Sequence, residues 1–182
     1  TPTSTVIKWR TNTVTDSKVW YGSSPDQLLQ TESVSGSLLD HEITIANLNP
    51  NTTYYYAIGD SNGQLSGGDT DHYFTTAPTV GTDQSITAWI LGDCGTGNAN
   101  QAAVRDAYHN YIGNTHTDMI LLLGDNAYNS GTDTEYQGAI FDMYTSKLKN
   151  SMVWSCPGNH DYYAQSGLNA AYYDIFTFPT GG

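Results

Sequence analysis

The stretch Met119-Ile120-Leu121-Leu122-Leu123-Gly124-Asp125-Asn126-Ala127-Tyr128 joins an unbroken apolar run to a small polar cluster. A short run that is apolar at every position and closed by Gly-Asp has the pattern of a strand buried on both faces, as in a parallel sheet. The pattern occurs twice more. Ile86 to Leu91 leads into Gly92-Asp93-Cys94-Gly95, and Met152 to Cys156 leads into Pro157-Gly158-Asn159-His160-Asp161. Between the strands, Val104, Ala107, Tyr108, Tyr111 and Ile112 recur at helical spacing before Gly113, and Tyr136 to Leu148 is also helix-like. Strand, helix, strand, helix, strand predicts a mainly parallel sheet with right-handed crossovers. Ligands of open α/β sheets bind at the carboxyl ends of the strands, so the three clusters are expected to converge on one crevice. One Gly-Asp or Gly-Asn turn is ordinary strand closure; three, each with an oxygen ligand or an imidazole, are hard to obtain from turn chemistry.

Upstream the pattern changes. Val6–Trp9, Lys18–Tyr21, Glu42–Ile45, Thr53–Ile58 and His72–Phe74 are short alternating runs separated by turn residues, which predicts an antiparallel sandwich. Leu48-Asn49-Pro50-Asn51-Thr52-Thr53-Tyr54 has the spacing of a tyrosine corner, in which a phenol bonds back to the backbone of immunoglobulin-like and fibronectin type III-like folds. The polar stretch Ala77-Pro78-Thr79-Val80-Gly81-Thr82-Asp83 lies where the two patterns meet. The expected organisation is an all-β fibronectin type III-like sandwich over 1–77, a linker over 78–84, and part of an α/β domain over 85–182.

The 182 residues include 14 Tyr and 4 Trp, enough apolar area for a core in each part. Eighteen acidic against six basic residues give a net charge of −12, with no basic stripe to neutralise a phosphate backbone, so nucleic acid is not an expected partner. A cationic metal cluster would reverse this field locally for an anionic substrate. No apolar run approaches the roughly 20 residues of a membrane span, so no membrane partner is expected, and Thr1-Pro2-Thr3-Ser4 is not a signal peptide. Cys94 and Cys156 are read either as a pair or as two buried free thiols.

The order Gly92-Asp93-Cys94-Gly95, Gly124-Asp125-Asn126-Ala127-Tyr128, Gly158-Asn159-His160 resembles the metallophosphoesterase superfamily and, within it, the purple acid phosphatases, whose motifs run GDxG, GDxxY and GNH. The likeness spans essentially the whole chain. Most metallophosphoesterases carry a metal-binding His two residues after the first Asp; purple acid phosphatases lack it and use a Tyr three residues after the second Asp. Gly95 and Tyr128 match the second pattern.

The resemblance implies that Asp93 and Tyr128 bind Fe(III), Asp125 bridges both metals, and Asn159 binds a divalent metal (Fe, Zn or Mn). His160 would act on the phosphoryl group or protonate the leaving alcohol. Carboxylate and phenolate are hard donors suited to a trivalent cation, which agrees with those roles. The implied activity is hydrolysis of small phosphate monoesters at acid pH in a secreted or extracytoplasmic protein. A phosphodiesterase or nucleotide hydrolase on the same centre is one alternative, and a non-catalytic binding or structural module is another.

The family pattern also needs three His ligands from downstream VxxH-like and GHxH-like motifs. The chain is therefore expected to be a piece of a longer protein, inactive alone, with the sandwich's first strand missing as well. Asp161 is read as an exposed turn carboxylate, or else as a group orienting His160. His41, His72, His109 and His116 are read as surface or half-buried residues, and Cys94 as a small wall residue. Tyr162, Tyr163, Tyr172 and Tyr173 either line a substrate rim or pack around a loop.

Overall fold

The computed structural model describes residues 1–178. The chain divides into two compact units, Thr1–Ser85 and the residues from Ile86 onward. The first contains β1 (Thr5–Gly22), β2 (Gln30–Ile45), β3 (Thr53–Asp60), β4 (Gly63–Gly67) and β5 (Tyr73–Thr75). All pair antiparallel in the order β2-β1-β3-β4, with β5 also on β3.

Val6–Trp9 and Lys18–Tyr21, which the pattern suggests are separate strands, are the two ends of β1. Register shifts between Arg10 and Thr15 and between Thr15 and Ser17 interrupt the ladder there. The Val6–Trp9 end pairs with the far end of β2, whereas Lys18–Tyr21 lies between β2 and β3. Ile7 and Trp9 from one end share a core with Val19 and Tyr21 from the other, together with Ile43, Ile45, Leu48 and Tyr56. The bent ribbon thus closes on itself as a sandwich. Its corner is the one expected: the Asn49 N–H donates to the Tyr54 hydroxyl at 3.0 Å, and the Tyr54 ring stacks on Phe74 with centroids 5.6 Å apart.

His41 and His72 are not at the surface; both are buried. Thr11 gives its hydroxyl proton to the Thr13 carbonyl at 2.8 Å, so it must accept from Nε2 of His41, also at 2.8 Å. The other ring nitrogen, Nδ1, then accepts from Ser17 Oγ at 2.8 Å, and the ring stacks on Trp9. A neutral imidazole satisfies this site completely. His72 is held between Asp69, 2.8 Å from its Nδ1, and Ser66, 3.2 Å from its Nε2.

In the second unit β6 (Ala88–Leu91), β7 (Met119–Leu123) and β8 (Met152–Cys156) are parallel neighbours in chain order, as the pattern predicts. α1 (Ala99–Ile112) connects the first two. It is capped by Asn98, whose side chain accepts from the N–H groups of Asn100 and Gln101, and it ends at Gly113. α2 (Asp133–Tyr136), a π-helical turn over Gln137–Phe141 and α3 (Asp142–Leu148) precede β8, and α4 (Ala171–Ile175) follows it.

The buried stripe of α1 differs from the apolar periodicity: Val104 and Tyr111 face solvent, and the core side carries Gln101. Gln101 Nε2 donates to the Ala139 carbonyl at 2.7 Å and to Tyr144 Oη at 3.0 Å. Tyr108 stacks flat on Trp89 with centroids 3.8 Å apart. One face of the sheet is buried and the other is largely open among the described residues. Trp89, Leu91, Ile120 and Leu122 are buried, whereas Ile90, Leu123, Met152 and Trp154 on the opposite face are 56, 58, 41 and 42% exposed. Both cysteines are free thiols; Cys94 is half-buried and Cys156 is exposed rather than buried.

Burial holds the His41 pKa below its ordinary 6.5, against the opposing pull of Asp40, Asp16 and Asp60. The unfolded chain therefore takes up this proton first. Stability contributed by neutral His41 is present above pH 6.5 and is lost as pH falls through the folded-state value. An NMR titration of the His41 ring is expected to give a midpoint below 6.5; a midpoint at or above it contradicts this account. Separately, Tyr54→Phe removes the corner bond and should cost the sandwich about 1 kcal/mol in urea unfolding.

Candidate functional site

The three polar clusters follow the carboxyl ends of β6, β7 and β8, and backbone bonds draw the first two together. Asp93 N–H donates to the Gly124 carbonyl at 3.1 Å, Gly95 N–H to Asp125 at 3.2 Å, and Tyr128 N–H to Gly95 at 2.8 Å. Asp93 and Asp125 both sit in the left-handed region, with φ of 52° and 51°. That conformation costs a non-glycine residue roughly 1–2 kcal/mol, so the surrounding bonds must hold it.

The turns bring three oxygen-bearing side chains together. The Tyr128 hydroxyl lies 3.1 Å from Asp93 Oδ1 and 3.0 Å from Asp125 Oδ2, donating toward both. Burial, and then the bonds to and charges of the two carboxylates, hold the phenol proton well above its usual pKa. The second oxygen of Asp125 accepts from the His160 N–H at 2.9 Å, which ties the third cluster to the second. Space allows this because residue 158 is glycine: a Cβ there would stand 2.3 Å from Asp125 Oδ1. Gly95 is equally constrained, since its Cβ would meet the Asn126 carbonyl oxygen at 2.0 Å.

His160 is oriented by its Nδ1, 2.7 Å from the Asn129 carbonyl. A carbonyl only accepts, so Nδ1 carries the hydrogen and Nε2 is left available. The ring contacts Tyr128, with centroids 4.4 Å apart, and Tyr163, at 4.6 Å. Asn159 is exposed and stands outside the carboxylate–phenol trio in its bonding; its amide nitrogen donates to the Tyr163 hydroxyl at 2.6 Å. Among the described residues no three His, Cys, Asp or Glu side chains group as a metal site, the gathered donors being two carboxylates and a phenol.

Residues 86–181 match the calcineurin-like phosphoesterase family, and residues 1–76 match the purple acid phosphatase amino-terminal domain. The chain belongs to the calcineurin-like phosphoesterases. Among curated relatives it is 29% identical over 132 residues to purple acid phosphatase 5 of Arabidopsis thaliana, covering 69% of this chain and 30% of that protein. A solved structure of PhoD aligns with a TM-score of 0.59 at 14% identity, covering 88% of this chain and 37% of that one, a likeness of fold. The chain thus spans about a third of the length of these relatives.

Two carboxylates support the strand-end loops of this phosphoesterase in ways that the sequence pattern does not announce. Asp161 is neither exposed nor bonded to the His160 ring. It is fully buried and accepts from Asn126 N–H at 3.1 Å, Asn126 Nδ2 at 3.2 Å, Gly158 N–H at 2.7 Å and the Tyr136 hydroxyl. Glu135 gathers the N–H groups of Asn129, Ser130 and Thr132 at 2.6, 3.1 and 2.8 Å, fixing the segment whose carbonyl holds His160. The Thr132-x-x-Glu135 pattern is a legible capping box; no local pattern betrays Asp161. Cys94 packs against the core, and burial pushes its thiol pKa up, so it is a wall residue and not a thiolate. Tyr172 is buried, Tyr162 and Tyr173 share a hydroxyl contact of 2.9 Å, and the Tyr163 side chain meets both the His160 ring and the Asn159 amide.

Replacing Asp161 with Ala strands several buried donors, each costing roughly 1–3 kcal/mol. Thermal unfolding of Asp161→Ala should show a loss of about 3 kcal/mol or more in the second unit's transition. A near-neutral effect would mean that water or another acceptor replaces the carboxylate.

Proposed function

We propose that the intact protein is an acid phosphatase that hydrolyses small phosphate monoesters outside the cytoplasm. Asp93, Asp125, Tyr128 and Asn159 are this chain's share of an Fe(III)–divalent metal centre, and His160 acts on the phosphoryl group. The observation that carries the reading is the Tyr128 hydroxyl, 3.1 and 3.0 Å from the carboxylates of Asp93 and Asp125, beside a Gly95 with no room for a side chain. Two carboxylates and a phenol are hard oxygen donors, the set that suits a trivalent cation. When bound, a metal pair neutralises phosphate charge and lowers the pKa of a bound water enough to supply hydroxide.

The chain's own residues prepare the rest. The left-handed turns at Asp93 and Asp125 aim both carboxylates at one point, and Gly158 lets the third loop approach Asp125. His160 presents Nε2, because Nδ1–H is committed to Asn129. That nitrogen can hold a proton for the leaving alcohol or donate to a developing phosphoryl oxygen.

The test uses the intact protein. Iron-loaded enzyme is expected to show a visible charge-transfer band that Tyr128→Phe removes, and active, iron-loaded but colourless protein would overturn the ligand assignment. His160→Ala should lower monoester turnover by roughly 10²-fold or more while metal content stays constant. Faster hydrolysis of a diester than of a monoester would move the assignment to phosphodiesterase.

A further inference from the structure

Tyr163 is 60% exposed, so packing into a core does not explain where its side chain lies. The turn that carries it begins at Asn159: Tyr162 N–H donates to the Asn159 carbonyl at 3.2 Å, and Tyr163 N–H to that of His160 at 3.4 Å. On such a turn, residues three and four apart become neighbours. Tyr163 therefore reaches back to both members of the third cluster. Its hydroxyl accepts from Asn159 Nδ2 at 2.6 Å, and its ring lies 4.6 Å from that of His160, tilted by 56°.

An amide is nearly symmetric in shape but not in chemistry. Only the carbonyl oxygen can serve a cation, and a 180° turn about the last side-chain bond exchanges it for an NH₂. With a cation on the oxygen, the nitrogen is the end left to meet the Tyr163 hydroxyl, which then accepts, so the hydroxyl favours the rotamer that presents the oxygen. A cation on the oxygen polarises the amide in turn and strengthens the N–H···O bond, so the two contacts reinforce each other.

We infer that Tyr163 is a positioning residue with two separable actions, its hydroxyl orienting the Asn159 amide toward the divalent metal and its ring holding the His160 imidazole in place. The inference rests on the function proposed above and adds a residue outside the GNH motif to that site. The two actions come from different parts of one side chain, so they can be removed in sequence. Tyr163→Phe deletes the hydroxyl and keeps the ring. Tyr163→Leu deletes both, and at an exposed position neither change threatens the core.

The experiment titrates zinc into the intact, iron-loaded protein against a competing chelator, and measures kcat at saturating zinc. Tyr163→Phe is expected to bind zinc about 10- to 100-fold more weakly, the usual cost of losing a group that orients a ligand. Its kcat should return to the wild-type value when zinc saturates, and its visible band should be unchanged because Tyr128 is intact. Tyr163→Leu should show the same loss of affinity and, in addition, a kcat lower by roughly 10-fold or more that excess zinc does not recover. Unaltered zinc affinity in Tyr163→Phe overturns the role of the hydroxyl. Equal kcat at saturating zinc in the two variants overturns the role of the ring. Wild-type protein with no visible band and no saturable zinc site would overturn the proposed function itself, and this inference with it.

Discussion

The arrangement at the strand ends depends on one buried carboxylate. Asp161 has no exposure to water, and a lone ion there would be prohibitively costly to desolvate. Four donors offset that cost: two from Asn126 after β7, the Gly158 amide after β8, and the hydroxyl of Tyr136 on α2. These donors lie far apart in the chain, so satisfying the carboxylate closes the second and third loops upon each other. Asp125 lies between the two anchored amides of Asn126 and Gly158. Its left-handed backbone, unfavourable alone, becomes the conformation that its neighbours dictate.

The architecture was legible because it rests on periodicity and on local turn chemistry. Continuous apolar runs closed by Gly-Asp or Gly-Asn mark parallel strands with polar clusters at their ends, and the Leu48 to Tyr54 spacing encodes a bond that forms between Asn49 and Tyr54. What could not be read depends on distant partners. Asp161 occupies a position that local grammar assigns to an exposed turn, and its bonds to Tyr136 and Asn126 tie it to residues far outside that turn. His41 is buried for the same kind of reason: Thr11 and Ser17 from β1 complete its bonding across the sheet. In α1 the helical period holds, but it fits more than one stripe of residues. The stripe carrying Gln101 and Tyr108 won because Gln101 satisfies two groups from the π-helical turn and α3, and Trp89 offers Tyr108 a flat partner.

The candidate site was legible in its residues and not in its geometry. Asp93, Asp125 and Tyr128 are brought into contact through the backbone bonds of Gly95. His160 joins them through its main-chain N–H on Asp125 while its ring turns to Asn129, a division of labour that residue type alone does not announce. Asn159 follows a different logic, with its amide nitrogen committed to Tyr163. The site thus has a bonded trio built from the first two loops, while the Asn159 amide is engaged within the third loop alone.

That asymmetry bears on why glycine stands at position 95. In the more common metallophosphoesterase pattern this residue is a histidine that binds metal, so its loss could be read as a vacancy to be filled by another donor. The geometry gives a stronger reason. The space just beyond the Gly95 Cα is taken by the Asn126 carbonyl and the Ala127 nitrogen, at 2.0 and 2.4 Å from where a Cβ would be. That backbone is the segment that delivers Tyr128, whose own N–H is bonded to the Gly95 carbonyl at 2.8 Å. A side chain at 95 and a phenol beside Asp93 therefore exclude each other: inserting the first displaces the loop that positions the second. The bare Cα of Gly95 and the phenol of Tyr128 beside Asp93 are thus two consequences of one backbone path.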